Sequence, residues 1–235
     1  IYTGITADKR KYGFRRAFTF RPQLLKGMLS ISGWTMVQSF LSVSVWFIFF
    51  LAIEHLGERP LAVTNIVRNI AAMLIMIISA FATTAGALIS NQIGAGEQRF
   101  LFKTCRMTLN LAYALLIPLL IVLCLFPEPI LRIFTDNPSL ITASIPSVYV
   151  MATSTLISAP AFILFNAVSG TGNTRAGFVM EMITLAVYTA AVYYGVIVLK
   201  PDVALCWFSE HIYGIVLISL TWWYLKSGRW RGKKV

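Results

Sequence analysis

From Ile70 to Gly96 the chain carries no charged residue. That run is longer than the roughly 20 residues an α-helix needs to cross a bilayer. It sits inside a longer segment, Leu61–Glu97, that begins with Asn65, Arg68 and Asn69 and closes on the Gly-rich Ile93-Gly94-Ala95-Gly96-Glu97. Five further apolar stretches accompany it: Ile31–Ile53, Met107–Phe126, Leu140–Val168, Gly177–Leu199 and Val203–Leu225. Lipid offers no hydrogen bonds to backbone amides, so segments of this kind must satisfy their own N–H and C=O groups as helices. Only 12% of the 235 residues are charged and 57% are hydrophobic, against about 25% charged in a typical soluble domain. The sequence therefore predicts an all-α membrane protein, a bundle of six transmembrane helices. Residues 27–226 form the lobe, flanked by a basic cytoplasmic segment at 1–26, suited to an amphipathic helix in the interface, and a basic tail at 227–235. At about 1.5 Å per residue, Leu61–Glu97 exceeds the membrane thickness and is expected to tilt, bend or project.

The net charge is +11. A nucleic-acid partner is rejected, because the positive charges sit in short clusters between apolar runs rather than on a continuous face. One side collects Lys9 through Lys26, then Arg99, Lys103 and Arg106, then Arg175, and finally Lys226, Arg229, Arg231, Lys233 and Lys234. The other side has Arg59, Arg132 and Lys200. By the positive-inside rule both termini are expected to be cytoplasmic, with membrane lipid as the surrounding partner. Beginning at Ile1 rather than Met, without a signal-peptide pattern, the chain reads as a piece of a longer protein.

Chemistry is thinly represented. Cys105, Cys124 and Cys206 are isolated, and His55 and His211 are too few for a histidine metal site, so neither a disulfide framework nor a metal centre is expected. There is no HExxH, GxSxG, Walker or clustered-acid motif. Gly94-Ala95-Gly96 follows a helix rather than a strand and lacks a following Lys-Ser/Thr, so it reads as a helix cap and turn. Pro118 predicts a kink in its span. Pro146 and Pro160 interrupt a span rich in Ser and Thr, whose hydroxyls can satisfy the carbonyls that proline leaves unpaired.

Ionisable groups at membrane depth are expensive to bury and therefore point to function. Three stand out: Arg68 and Glu210, each about two turns inside the same face, and Glu181 in the first turns of its span. Arg68 and Glu210 are candidates to pair across a cavity, and Glu181 to pair with Arg175. Gln38, Ser42, Asn65, Asn69, Ser154, Ser158 and Asn166 supply softer polar groups for a shared pathway. Phe47, Phe49, Phe162, Phe165 and Tyr188 offer apolar and cation–π surface to an organic cation.

Several segments in their order carry a resemblance: LGERPLAVTNIVRNI, SNQIGAGE, FTDNP, SGTGNTR, WFSEHIYG and WYLKSGRW. From about Phe20 onward the chain resembles the second half of multidrug and toxic compound extrusion (MATE) transporters. The resemblance implies one six-helix lobe of a twelve-helix transporter, with the N-terminal lobe of the same transporter as partner, residues 1–26 as the cytoplasmic link between the lobes, and, since WFSEHIYG and WYLKSGRW resemble the bacterial members, a bacterial inner (plasma) membrane as the location. It also implies antiport of small organic cations against Na⁺ or H⁺, with no other cofactor. Sodium-linked relatives carry carboxylates in the first and fourth helices of this lobe. This chain has Gln38 and Ser42, and Ser154 and Ser158, near those places, which argues against a Na⁺ site of that kind in this half. Two alternatives are weighed. A lipid-linked precursor flippase would want a cationic cavity, whereas the interior holds one clear cation, Arg68. A membrane-embedded enzyme would want acids or histidines clustered at one depth.

Overall fold

The computed structural model describes residues 22–231. The expected basic segment 1–26 falls almost wholly outside them, as does the end of the tail, 232–235. Among the described residues eight α-helices follow one another: α1 (Pro22–Glu54), α2 (Glu58–Gly94), α3 (Leu101–Leu125), α4 (Pro127–Leu131), α5 (Pro138–Gly170), α6 (Thr174–Val192), α7 (Val203–Cys206) and α8 (Phe208–Ser227). A 3₁₀ turn at Gln98–Phe100 leads into α3, and a π-helical turn at Tyr193–Val198 prolongs α6. Six of the resulting helical segments are long and apolar enough to cross a membrane. They match the six spans read from the sequence, and the protein is a multi-pass membrane protein.

The 37-residue α2 is one unbroken α-helix, about 55 Å long at the standard rise. Its exit behaves as a cap. Gly96 takes φ +76°, and the amides of Ala95, Gly96 and Glu97 bond back to the carbonyls of Asn91, Ile93 and Gln92. The SGTGNTR exit of α5 is a second such turn. Gly172 takes φ +77°, and Asn173 caps α6 by accepting from the Ala176 amide at 3.3 Å. The same Asn173 donates to the Tyr224 hydroxyl at 2.5 Å, tying the turn to the last turns of α8.

Helices α2 and α5 form the central pair, with α3 and α8 against α5, while α6 lies between α1 and α8. One core cluster fills the space among α2, α3 and α5 (Ile78, Ile89, Leu116, Met151, Ile163). A smaller one, around Phe49, Ile53, Tyr188 and Val192, joins α1 to α6. The α2–α5 crossing is set by small residues, which let helix backbones approach closely where lipid supplies no hydrophobic drive. A Cβ placed on Gly170 would overlap the Gly86 carbonyl oxygen, and one on Gly86 would stand 2.9 Å from the Asn166 carbonyl oxygen.

Proline leaves a carbonyl four residues earlier without its donor. For Pro160 that carbonyl is Leu156, and the structure supplies a donor from another helix: the Tyr113 hydroxyl of α3, at 2.7 Å. The nearby α5 hydroxyls do not do this work: Ser158 donates to the Ser154 carbonyl at 3.0 Å and Ser154 to the Met151 carbonyl at 2.8 Å. Tyr113→Phe is expected to destabilise the lobe by about 1–2 kcal/mol, the cost of orphaning a carbonyl away from water. The check is the thermal unfolding midpoint of the variant in detergent or nanodiscs, and an unchanged midpoint would refute the assignment.

Candidate functional site

A cavity of about 580 Å³ opens between the two core clusters, walled by α1, α2, α5, α6 and α8. Each helix presents residues at helical spacing, which places them on one face. Helix α1 gives Gln38, Ser42 and Trp46, α5 gives Phe162, Phe165 and Asn166, α6 gives Glu181 and Tyr188, and α8 gives Glu210 and Tyr213. Helix α2 contributes only Ile75 and Ser79. Among the described residues, no lysine or arginine lines this cavity.

The two carboxylates are held differently. Glu181 is 3% exposed. Its Oε1 accepts from the Ser42 hydroxyl and from the Tyr213 hydroxyl, each at 2.9 Å. Its Oε2 is enclosed and has no hydrogen-bond partner. Glu210 accepts from the Tyr188 hydroxyl at 2.8 Å. The two tyrosines meet edge to face, ring centroids 5.9 Å apart, and Phe162 lies 6.4 Å from the Tyr213 ring. The result is a continuous polar and aromatic seam from Ser42 through Glu181 and Tyr213 to Tyr188 and Glu210.

Eight of the residues singled out in the sequence converge on this cavity: the polar Gln38, Ser42, Asn166, Glu181 and Glu210, and the aromatic Phe162, Phe165 and Tyr188. Asn65 and Arg68 line a neighbouring cavity of about 390 Å³ with Glu54 and Phe47; Val43 and Trp46 border both spaces. The pairing expected between Arg68 and Glu210 is not the arrangement found. The Arg68 guanidinium lies over the Phe50 ring at 4.9 Å and near Trp46 at 5.9 Å, while Glu210 is engaged by Tyr188. Matching their depth along two helices left their azimuth open, and azimuth decides the partner. Glu181 likewise faces Ser42 and Tyr213 rather than Arg175. Asn69 is exposed on α2. Ser154 and Ser158 turn their hydroxyls to the Met151 and Ser154 carbonyls of their own helix and stay out of the cavity. Phe49 is buried in the α1–α6 cluster.

Tyr213 did not stand out from the sequence as a site residue, and Tyr188 only as an aromatic surface. The signal was present in the spacing. Glu210 and Tyr213 are i, i+3 on α8, and Glu181, Leu185 and Tyr188 are i, i+4, i+7 on α6, so each acid shares a face with a tyrosine. Which tyrosine serves which acid depends on how α6 meets α8: each phenol crosses to the acid on the other helix. For Arg68, the rings beneath it predict that Arg68→Ala lowers stability by about 1–2 kcal/mol, while Arg68→Lys recovers only part of that, since both the charge and the flat guanidinium contribute to stacking. Unfolding midpoints of the two variants check this, and equal losses in both would show that the charge alone does not matter.

Comparison with known proteins gives a consistent picture. A family model described as MatE matches residues 35–194. No curated protein sequence matches the chain. Among solved structures, the Vibrio cholerae MATE transporter VcmN in its bent form superposes with a TM-score of 0.79 at 17% identity, over 89% of this chain and 48% of that one. An outward-facing multidrug resistance MATE family transporter gives a TM-score of 0.77 at 13% identity, over 89% and 47%. A Pyrococcus furiosus transporter of the MOP superfamily gives 0.74 at 12% identity, over 85% and 44%. At these identities the likeness is one of fold. The chain spans about half the length of the solved structures it matches.

Proposed function

We propose, on the premise that this chain belongs to the MatE family of membrane transporters, that it is the C-terminal lobe of a secondary antiporter that exports organic cations. Export is coupled to inward movement of Na⁺ or H⁺. A preceding six-helix lobe of the same protein completes the transporter, and both ends of this lobe face the cytoplasm of a bacterial cell, as the distribution of Lys and Arg argues. One observation carries the substrate class: the larger cavity presents two carboxyl groups and five aromatic rings with no basic side chain among the described residues. Its volume falls in the range of about 300–1,000 Å³ that holds drug-sized molecules. Carboxylates attract a cation, and Trp46, Phe162, Phe165, Tyr188 and Tyr213 provide flat apolar faces for an aromatic or quaternary ammonium group. The absence of a cationic lining disfavours a pyrophosphate-bearing lipid as cargo.

In this reading Gln38, Ser42 and Asn166 orient the cargo and the aromatic walls exclude water. Arg68, stacked on Phe50 next door, keeps a positive charge out of the cavity itself. The test uses the full-length protein in liposomes with a fluorescent organic cation. Dye movement driven by an imposed Na⁺ or H⁺ gradient is the expected result, and movement indifferent to both gradients would remove the coupling.

A further inference from the structure

A separate cleft of about 360 Å³ opens where the first turns of α6 meet the last turns of α8. It uses a different face of α6 from the one that carries Glu181 and Tyr188 into the central cavity. Its floor is apolar: Val179 and Ile183, one turn apart on α6, and Leu220 of α8. Val179 and Ile183 are 47% and 45% exposed, on a helix that spans the membrane, so this floor faces the lipid. The mouth differs from the floor. Arg175 and Trp223 line it, and the Arg229 guanidinium lies over the Trp223 ring at 5.1 Å. Stacking occupies the flat face of a guanidinium and leaves its N–H edges to bind. Tyr224 also lines the cleft. Its hydroxyl accepts from Asn173, and a hydroxyl that accepts still has a hydrogen to donate. Among the described residues no carboxylate lines the cleft. Two guanidinium groups and a hydroxyl donor thus stand above an apolar slot, beside a tryptophan of the kind that settles at headgroup level.

We propose that this cleft seats an anionic phospholipid, with its phosphate held by Arg175 and Arg229 and one acyl chain laid along Val179, Ile183 and Leu220. Charge selects the headgroup. Guanidinium groups match phosphate oxygens through paired N–H bonds, and a zwitterionic lipid brings its own cation against the two arginines. Dimensions select the chain. From Arg175 to Ile183, α6 rises about 12 Å at 1.5 Å per residue. That is most of the roughly 15 Å that one leaflet contributes to a hydrocarbon core of about 30 Å. A free phosphate would use the mouth alone and leave the slot to bulk lipid. The cleft lies at the end of the bundle where Lys and Arg collect, and basic clefts between helices at that end suit the anionic lipids of the facing leaflet. A lipid seated there bridges α6 and α8 beside the bond from Asn173 to Tyr224. The proposal needs neither the coupling ion nor the cargo class of the antiport reading, so it stands or falls apart from them.

The test is native mass spectrometry of the purified full-length protein, titrated with phosphatidylglycerol and with phosphatidylcholine of the same acyl chains. Wild type is expected to hold phosphatidylglycerol at least about tenfold more tightly, since each Lys or Arg near anionic headgroups contributes a factor of about five. In the double variant Arg175→Gln, Arg229→Gln that preference should fall to about unity. The double variant Lys103→Gln, Arg106→Gln removes the same charge from the start of α3, outside the cleft, and should keep the preference. Val179→Phe fills the slot from an exposed position and should weaken both lipids while leaving the preference between them. Three results overturn the proposal: no preference in wild type, a preference that survives loss of both cleft arginines, or an equal loss in the two double variants, which would mark diffuse surface charge. Unchanged lipid binding by Val179→Phe, or complete displacement of phosphatidylglycerol by inorganic phosphate, overturns the seating of the chain in the slot.

Discussion

Glu181→Gln in the full-length protein is expected to cut gradient-driven export of an organic cation at least about tenfold, with the folded amount unchanged. Glutamine keeps the shape of the side chain and a carbonyl oxygen for the Ser42 and Tyr213 hydroxyls, so the packing of α1, α6 and α8 survives. What it removes is the ability to become negative. Charge-assisted contacts are worth about 1.5–3 kcal/mol each, and 1.4 kcal/mol is a factor of about ten in rate or affinity, which sets the expected minimum. Initial transport rates at matched protein content, together with an unfolding midpoint within a few degrees of wild type, form the check. Near-normal export by the variant would show that the Glu181 charge plays no part. Removal of Glu181 outright, as Glu181→Ala, adds a loss of stability, because the buried Tyr213 hydroxyl then loses its acceptor, whereas Ser42 still has the Gln38 carbonyl at 3.0 Å.

The second large effect concerns folding. Gly170→Ala is expected to destabilise the lobe by about 3 kcal/mol or more, beyond the usual cost of overpacking, because the added carbon overlaps backbone rather than a side chain that can swing away. Gly170→Val should leave little extractable folded protein. Gly86→Ala meets the Asn166 carbonyl oxygen from the other side of the same crossing and should share the defect. Gly33→Ala on α1, where a Cβ meets nothing within 4 Å, should be neutral or slightly stabilising, since alanine is the better helix former. Unfolding midpoints and the yield of monodisperse protein after extraction compare the four variants. A normal Gly170→Ala protein would mean that α2 and α5 have room to part.

The comparison of variants separates two kinds of information. The spans, their order and their polar interruptions were legible because lipid imposes a one-dimensional rule: an apolar run of sufficient length must be a helix. The Gly94-Ala95-Gly96 turn was legible because glycine just past an apolar helix suits the left-handed cap that Gly96 adopts. The π-helical turn at Tyr193–Val198 and the break at Trp207 were not, since both lie within apolar stretches whose composition does not change where the helix does.

The sequence by itself determined that this is a bundle of six membrane spans with acids in α6 and α8. It also marked Gln38, Ser42, Asn166, Glu181 and Glu210 as polar groups that a membrane interior must account for. Only the tertiary structure decided their company. Helix azimuth and crossing are set by side-chain packing between elements distant in the chain, such as Gly86 against Gly170, and no local pattern encodes them. That packing turned Arg68 onto Phe50 instead of toward Glu210, brought Ser42 and Tyr213 to one oxygen of Glu181, and left the other without a partner.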